Sequence, residues 1–154
     1  MDVTTYMLVN PKSTFTMKPL LYILLILLTG HQCVNAQKVP YNVVFDVTTK
    51  DTVVHQMVIR WINEILTTDP MANIEVVYYA KSLDMVTQGR SVVAADVEKY
   101  AARKNVSFKV CQVAMKNNNV EMNQLLPGVS TVPDGIYEII SRQHDGWGYI
   151  KASR

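Results

Sequence analysis

The feature that most constrains the fold is an alternation. Short apolar runs rich in β-branched residues, at 41–47, 74–80, 107–111, 129–132 and 147–151, are separated by segments whose apolar residues recur every three or four positions. Near-continuous apolar runs suit strands buried on both faces, and a three-to-four spacing suits helices with one side on that sheet. Strand followed by helix, repeated along the chain, is the pattern of an α/β fold: a three-layer α/β/α sandwich around a mainly parallel sheet of about five strands. Its crossovers are expected to be right-handed.

The clearest helix opens at Asp51. Val54, Met57, Val58, Trp61, Ile62, Ile65 and Leu66 fall on one stripe, while Arg60, Asn63 and Glu64 face water. His55 lies off that stripe, where an exposed or locally bonded side chain is favoured over a ligand role. Asp69-Pro70 breaks the helix. A short turn is expected near 83–86, a helix over 92–104, and a short helix from Gln112 that stops at Asn117-Asn118-Asn119, because asparagine tolerates left-handed backbone. Another turn is expected near 120–126, and Pro133-Asp134 suits the start of a last helix, which closes near Gly146. Trp61 and Trp147 are read as core or subunit-interface residues.

The first 36 residues are read as a leader rather than as part of this domain. Met17-Lys18, the apolar run 20–28 and the Val34-Asn35-Ala36 pattern make a secretory signal with its effective start at Met17 and cleavage after Ala36. The alternative is an uncleaved anchor helix, although the run is short for a membrane span. Gly30-His31-Gln32 ahead of Cys33 lacks the small residue that lipidation wants. The expectation is an exported protein, periplasmic or secreted, with residues 37–154 as one domain and no stable membrane anchor after processing.

Removing the leader changes the cysteine arithmetic. Of two cysteines only Cys111 stays, so no internal disulfide can form. An odd cysteine in an oxidising compartment is buried and inert, paired between chains, or a reactive thiol. Position bears on the choice: residues 107–111 deliver Cys111 to a strand-to-helix junction, at the strand edge where open α/β sheets bind ligands and where a helix start favours a thiolate. Since an ordinary thiol with a pKa near ~8.5 is only a few per cent ionised at neutral pH, such an environment speeds its attack on sulfur.

The same topology brings the loops after the strands together, which makes Thr48, Lys50, Lys81, Ser82, Gln112 and Asp134 the candidate site-lining residues around Cys111. Lys50, Lys81 and Lys109 are the cations within reach in sequence; Lys109 has the strand parity of Cys111. No histidine stands in a defined relation to the cysteine, which argues against a protease-like nucleophile and base. No dinucleotide fingerprint, Walker loop or His-Glu-x-x-His occurs, so no cofactor and no metal is expected. A net charge of +2 gives no concentrated basic surface, so the expected partner is a small molecule or a protein rather than nucleic acid.

Val110-Cys111-Gln112-Val113-Ala114-Met115, followed by Asn119-Val120, Leu125-Leu126-Pro127-Gly128-Val129 and the terminal Gly146-Trp147-Gly148-Tyr149-Ile150, resembles the DsrE/DsrF-like family of sulfur-handling proteins. The likeness spans nearly all of 37–154. It implies a compact α/β/α sandwich assembled as a homotrimer or hexamer, and a sulfur carrier or sulfurtransferase-like role in which Cys111 holds sulfane sulfur as a persulfide. The partners it implies are a sulfur donor or acceptor protein, or a small sulfane-sulfur compound. Two departures stand out: typical relay members are cytoplasmic, and Asn117-Asn118-Asn119 replaces an Arg-Gly-type turn. Against the carrier stand a non-catalytic exported oligomeric module that binds a ligand or partner, with Cys111 structural or redox-sensing, and a chain cross-linked through Cys111.

Overall fold

Five strands form one sheet in the order β4-β3-β2-β1-β5, and every neighbouring pair is parallel. The strands are β1 (Asn42–Val47), β2 (Asn73–Tyr78), β3 (Val106–Cys111), β4 (Ser130–Val132) and β5 (Gly148–Ala152). Between them lie α1 (Thr52–Thr68), α2 (Ala94–Ala101), the short α3 (Gln112–Asn117) and α4 (Gly135–His144), with 3-10 turns at Ser82–Val86 and Met122–Gln124. This computed structural model describes residues 41–154, which belong to one compact unit, Val39–Arg154. The expected signal, its start at Met17 and its cleavage after Ala36 lie outside the described residues.

Strand order explains which helix goes where. The chain steps from β1 to β2 to β3 to β4 in one direction, then returns past β1 to place β5 on the far side. A right-handed crossover puts connections running in opposite directions on opposite faces. The packing follows. Val54, Val58 and Ile62 of α1, Val97 and Tyr100 of α2, and Ala114 and Met115 of α3 share one apolar cluster with Phe45, Val76, Tyr78, Phe108 and Val110. On the opposite face α4 is the one helix among the described residues, over a small cluster of Val44, Val77 and Ile139 with Tyr79 and Trp147 against it. The α/β/α sandwich is therefore present with unequal layers.

Local chemistry fixes the element ends. Asp51 caps α1 by accepting the Val53 N–H at 2.9 Å, and Asp134 caps α4 by accepting those of Ile136 and Tyr137 at 2.8 and 3.2 Å. Asn119 takes φ 52°, the left-handed backbone expected of the asparagine run. Gly128 has φ +80°, and a Cβ there would lie 2.7 Å from that of Ala101, so the Leu-Pro-Gly-Val segment needs its glycine twice over. The α2 helix is shorter than 92–104, since turns occupy both its flanks. His55 is locally bonded, its Nε2 2.9 Å from the Thr49 carbonyl, and it is buried rather than exposed, so it pins the β1–α1 loop. Trp61 stacks on Phe45 with centroids 5.9 Å apart, a half-buried edge of the core.

Candidate functional site

The connections change face between β3 and β4. The chain leaves β3 toward the face of α1–α3 and leaves β4 toward the face of α4, so a crevice opens beyond their carboxyl ends, where open α/β sheets bind ligands. Cys111 is the last residue of β3 and the N-cap residue of α3, and it pairs in register with Val132 of β4. Its thiol makes no capping hydrogen bond. The residue is 5% exposed and lies at a cavity of about 380 Å³. That volume is within the range of small-molecule pockets.

The cavity is built by three loops. After β2 come Tyr79, Ala80 and Lys81; from α3 come Val113, Ala114, Asn117 and Asn118; from the start of α4 come Asp134 and Ile136. Asn118 ties the first two together, donating from Nδ2 to the Ala80 carbonyl at 2.8 Å and to that of Ala114 at 2.7 Å. Ala80 adopts φ 55° at that point, an uncommon backbone for a residue with a Cβ. The third loop is seated by Gly135: a Cβ there would meet the Cβ of Cys111 at 3.1 Å and Val77 Cγ1 at 3.2 Å. The first turn of α4 thus rests directly on the cysteine.

The walls are mostly apolar, and the polar groups at the cavity are already committed in part. Asp134 spends Oδ1 on the α4 cap. The Lys81 ammonium is exposed and has no ion-pair partner among the described residues. The Tyr79 phenol is pushed up to about 12, first by burial, then by the negative charge of Asp46, with Tyr149 and Cys111 adding to it. Tyr79 and Cys111 line the same cavity.

Of the candidate site-lining residues, Lys81 and Asp134 stand at the cavity with Cys111, and four stand elsewhere. Ser82 is fully buried, with its hydroxyl committed to the carbonyls of Val47 at 2.6 Å and Tyr79 at 2.8 Å. Gln112 donates to Thr131 Oγ1 at 3.0 Å and lines a separate hollow with Met115 and Met122. Thr48 accepts the Lys81 N–H at its carbonyl, and Lys50 is exposed outside the lining. Lys109 shares the parity of Cys111 but lines the hollow at the opposite end of the sheet. The sequence did not single out Tyr79, Val113, Asn118 or Ile136 as lining, while Ala80 falls within the loop that topology brings there. Strand parity alone could have found Tyr79, since register carries it to the neighbour of Cys111.

Among the described residues, no group of three His, Cys, Asp or Glu side chains is placed to hold a metal ion. The fold and site define a class: a parallel α/β domain with one thiol at the topological switch point. No family model and no curated protein matches the chain. Solved structures do. The chain is similar to MTH1491 from Methanobacterium thermoautotrophicum, a protein of unknown function, with 27% identity over 72% of this chain and 98% of that one and a TM-score of 0.68. It also shares its fold with the ychN protein of E. coli, at 11% identity over 73% and 98% of the two chains and a TM-score of 0.61. A protein of unknown function from Bacteroides thetaiotaomicron, BT1422, shows 15% identity over 72% and 94%, with a TM-score of 0.58.

Proposed function

We propose that this chain is an exported sulfur carrier of the DsrE/DsrF-like kind, periplasmic or secreted, which accepts sulfane sulfur as a persulfide on Cys111. The observation that carries the reading is the placement of the one cysteine among the described residues beside a cavity of about 380 Å³, where the connections of β3 and β4 part to opposite faces. A structural cysteine needs no cavity. In the transfer, the Cys111 thiolate attacks the outer sulfur of a donor R–S–SH; the donor S–S bond breaks, R–S⁻ leaves with its electron pair, and Cys111 holds the new S–S bond. No oxidant is consumed. The apolar walls and the exposed Lys81 suit an organic or protein-borne donor, and assembly as a homotrimer or hexamer belongs to the same proposal.

One observation favours a second reading. At 5% exposure, Cys111 is as buried as many structural cysteines, which suits a module that binds a partner and leaves the thiol idle. Intact mass after anaerobic incubation with a sulfane-sulfur donor separates the two. A gain of one sulfur that reductant removes, and that Cys111→Ser abolishes, supports the carrier. An accessible thiol that alkylates but gains nothing refutes it, and a reductant-sensitive dimer would point to cross-linking instead.

A further inference from the structure

The cavity at Cys111 sorts what can reach the thiol. Its apolar lining includes Val113 and Ile136, which are 54% and 55% exposed, so the carbon body of a small molecule seated there would cover apolar surface that water now covers. Two charged side chains line the same cavity, and their situations differ. Asp134 spends Oδ1 on the cap of α4, at the helix end where the backbone partial charge is positive, so its negative charge is already offset. Lys81 has no such counterpart: its ammonium is exposed and pairs with no carboxylate among the described residues. Its backbone, by contrast, is held. The Thr48 carbonyl accepts the Lys81 N–H at 3.1 Å, Asn118 donates to the Ala80 carbonyl before it at 2.8 Å, and the Ser82 hydroxyl after it donates to the Val47 carbonyl at 2.6 Å. The fold thus fixes the root of an unpaired cation at the edge of an apolar cavity.

We propose that Lys81 selects the sulfur donor, a small organic persulfide whose carbon body lies on Val113 and Ile136 and whose carboxylate, or other anionic group, meets the Lys81 ammonium. The inference rests on the reading of Cys111 as a sulfur acceptor and names the substrate class of that site. The thiol is 5% exposed and is approached through a cavity of about 380 Å³, which has room for a small molecule. An inorganic donor offers nothing to the apolar walls, and a neutral organic donor leaves the cation unpaired. In the transfer the Cys111 thiolate attacks the outer sulfur of R–S–SH, with the carboxylate on R. The donor S–S bond breaks, R–S⁻ leaves with the bonding pair, and Cys111–S–SH forms, with no oxidant consumed. Lys81 makes and breaks no bond in this step; it is a specificity residue. Because its ammonium is exposed, its effect is modest and falls with salt.

Two alkylating reagents of nearly equal size, anionic iodoacetate and neutral iodoacetamide, read the charge at the cavity without any sulfur donor. Each forms a C–S bond at Cys111 with loss of iodide. The ratio of their rates cancels the thiolate fraction and the general access to the thiol, which a merely structural change would move alike for both. At low ionic strength, Lys81→Met is expected to lower the iodoacetate-to-iodoacetamide ratio by about threefold to fivefold, the size of one ion contact in water. Lys81→Arg should keep the wild-type ratio, and so should Lys50→Met, which removes an exposed lysine outside the lining. Added salt should bring the wild type toward Lys81→Met. A ratio that Lys81→Met leaves unchanged, or that Lys50→Met lowers as much, would overturn the inference. The persulfides of mercaptoacetate and mercaptoacetamide, the same carbon chain with and without the charge, carry the test to sulfur loading, read by intact mass. The wild type should prefer the anionic donor relative to Lys81→Met. A lysine-dependent alkylation ratio with no sulfur gained from either donor loses the carrier reading and leaves the anion subsite standing. Sulfur gained from both donors, in a proportion that Lys81→Met does not alter, loses this inference and leaves the carrier standing.

Discussion

The two faces of the sheet are built on different terms. On the face of α1–α3, β1–β3 present Val43, Phe45, Val47, Ile74, Val76, Tyr78, Val106, Phe108 and Val110, all buried and all apolar apart from one phenol. On the face of α4 the same strands present Asp46, Glu75, Ser107, Lys109 and Cys111, and only Val44, Val77 and Ile139 form a buried apolar cluster there. One face excludes water and supplies stability. The other holds Glu75 and Asp46 in ion pairs, and Cys111, which packs into the first face's cluster, meets α4 through its Cβ. The cause is topological: three crossovers in one direction cover the first face, and one crossover in return covers the second.

If that division is right, the largest truncation cost should fall on the first face. Phe45 is fully buried and stacked on Trp61, so Phe45→Ala is expected to cost about 3–5 kcal/mol. Val77→Ala on the other face removes two methyl groups from a small cluster and should cost about 1.5 kcal/mol. Urea denaturation of both variants measures the gap. Equal costs would mean that the polar face contributes as much to stability as the apolar one.

The next effect belongs to the ion cluster under α4. Glu75, 2% exposed in its side chain, accepts Arg142 Nε at 3.0 Å and the Ser107 hydroxyl at 3.0 Å; Arg142 also donates to Glu138 at 2.9 Å and lies over the Trp147 ring. Burial pushes the Glu75 carboxyl above its ordinary value of 4.5, the Arg142 hydrogen bond pulls it down, and Glu138 pushes it up again. The sign follows. A raised folded value means that the contribution of Glu75 to stability is full below about 4.5 and is lost as pH rises through the folded value. Arg142→Ala leaves the carboxylate buried without its cation, at a cost of about 2–3 kcal/mol at pH 7, less than a fully buried pair because Arg142 is 30% exposed. At pH 4 the cost should shrink, since Glu75 is then protonated. A pH-independent cost would show that Arg142 acts through packing alone.

This contrast also marks what was legible in the sequence. The apolar face was readable because its signal is local: β-branched runs and the stripe of α1 name their own partners. The polar face was not, because its partners are distant in sequence and chosen by register. Glu75 meets Arg142 sixty-seven residues on, and Asp46 meets Tyr149 one hundred and three residues on. Cys111, Lys81 and Asp134 could be placed near one another from topology alone. Tyr79 read as one more apolar-run aromatic, and Asn118 as a helix stop, although its side chain clamps the cavity loops. Ser82 and Gln112 have polar side chains that suit a site, yet their hydrogen bonds go to the scaffold.

Gly135 joins the two themes, because it lets α4 approach the strand that holds the thiol. In the open, Gly→Ala at a helix position gains up to about 1 kcal/mol. Here the new methyl group would sit 3.1 Å from the Cys111 Cβ and 3.2 Å from Val77 Cγ1, and overpacking of that kind costs about 1–3 kcal/mol. The balance predicts that Gly135→Ala destabilises by about 1 kcal/mol and changes the alkylation rate of Cys111 as α4 shifts. A stabilised variant with an unchanged rate would mean that the helix moves away at no cost and that the site does not depend on its close seating.

The smallest effect tests whether the polar pairs are held by hydrogen bonds at all. Tyr149 donates to Asp46 Oδ2 at 2.6 Å, and that bond, followed by burial and the Asp46 charge, pushes its phenol up to about 12. At 41% exposure the bond is worth the low end for its kind, so Tyr149→Phe should cost about 0.5 kcal/mol at pH 7. The wild type keeps this contribution below the ordinary phenol value near 10 and loses it as pH rises through about 12. Denaturation at pH 7 and pH 11 should therefore show the difference between wild type and variant narrowing at the higher pH. A difference that stays constant would assign the tyrosine's contribution to its ring and remove hydrogen bonding from the account of how this face holds its charge.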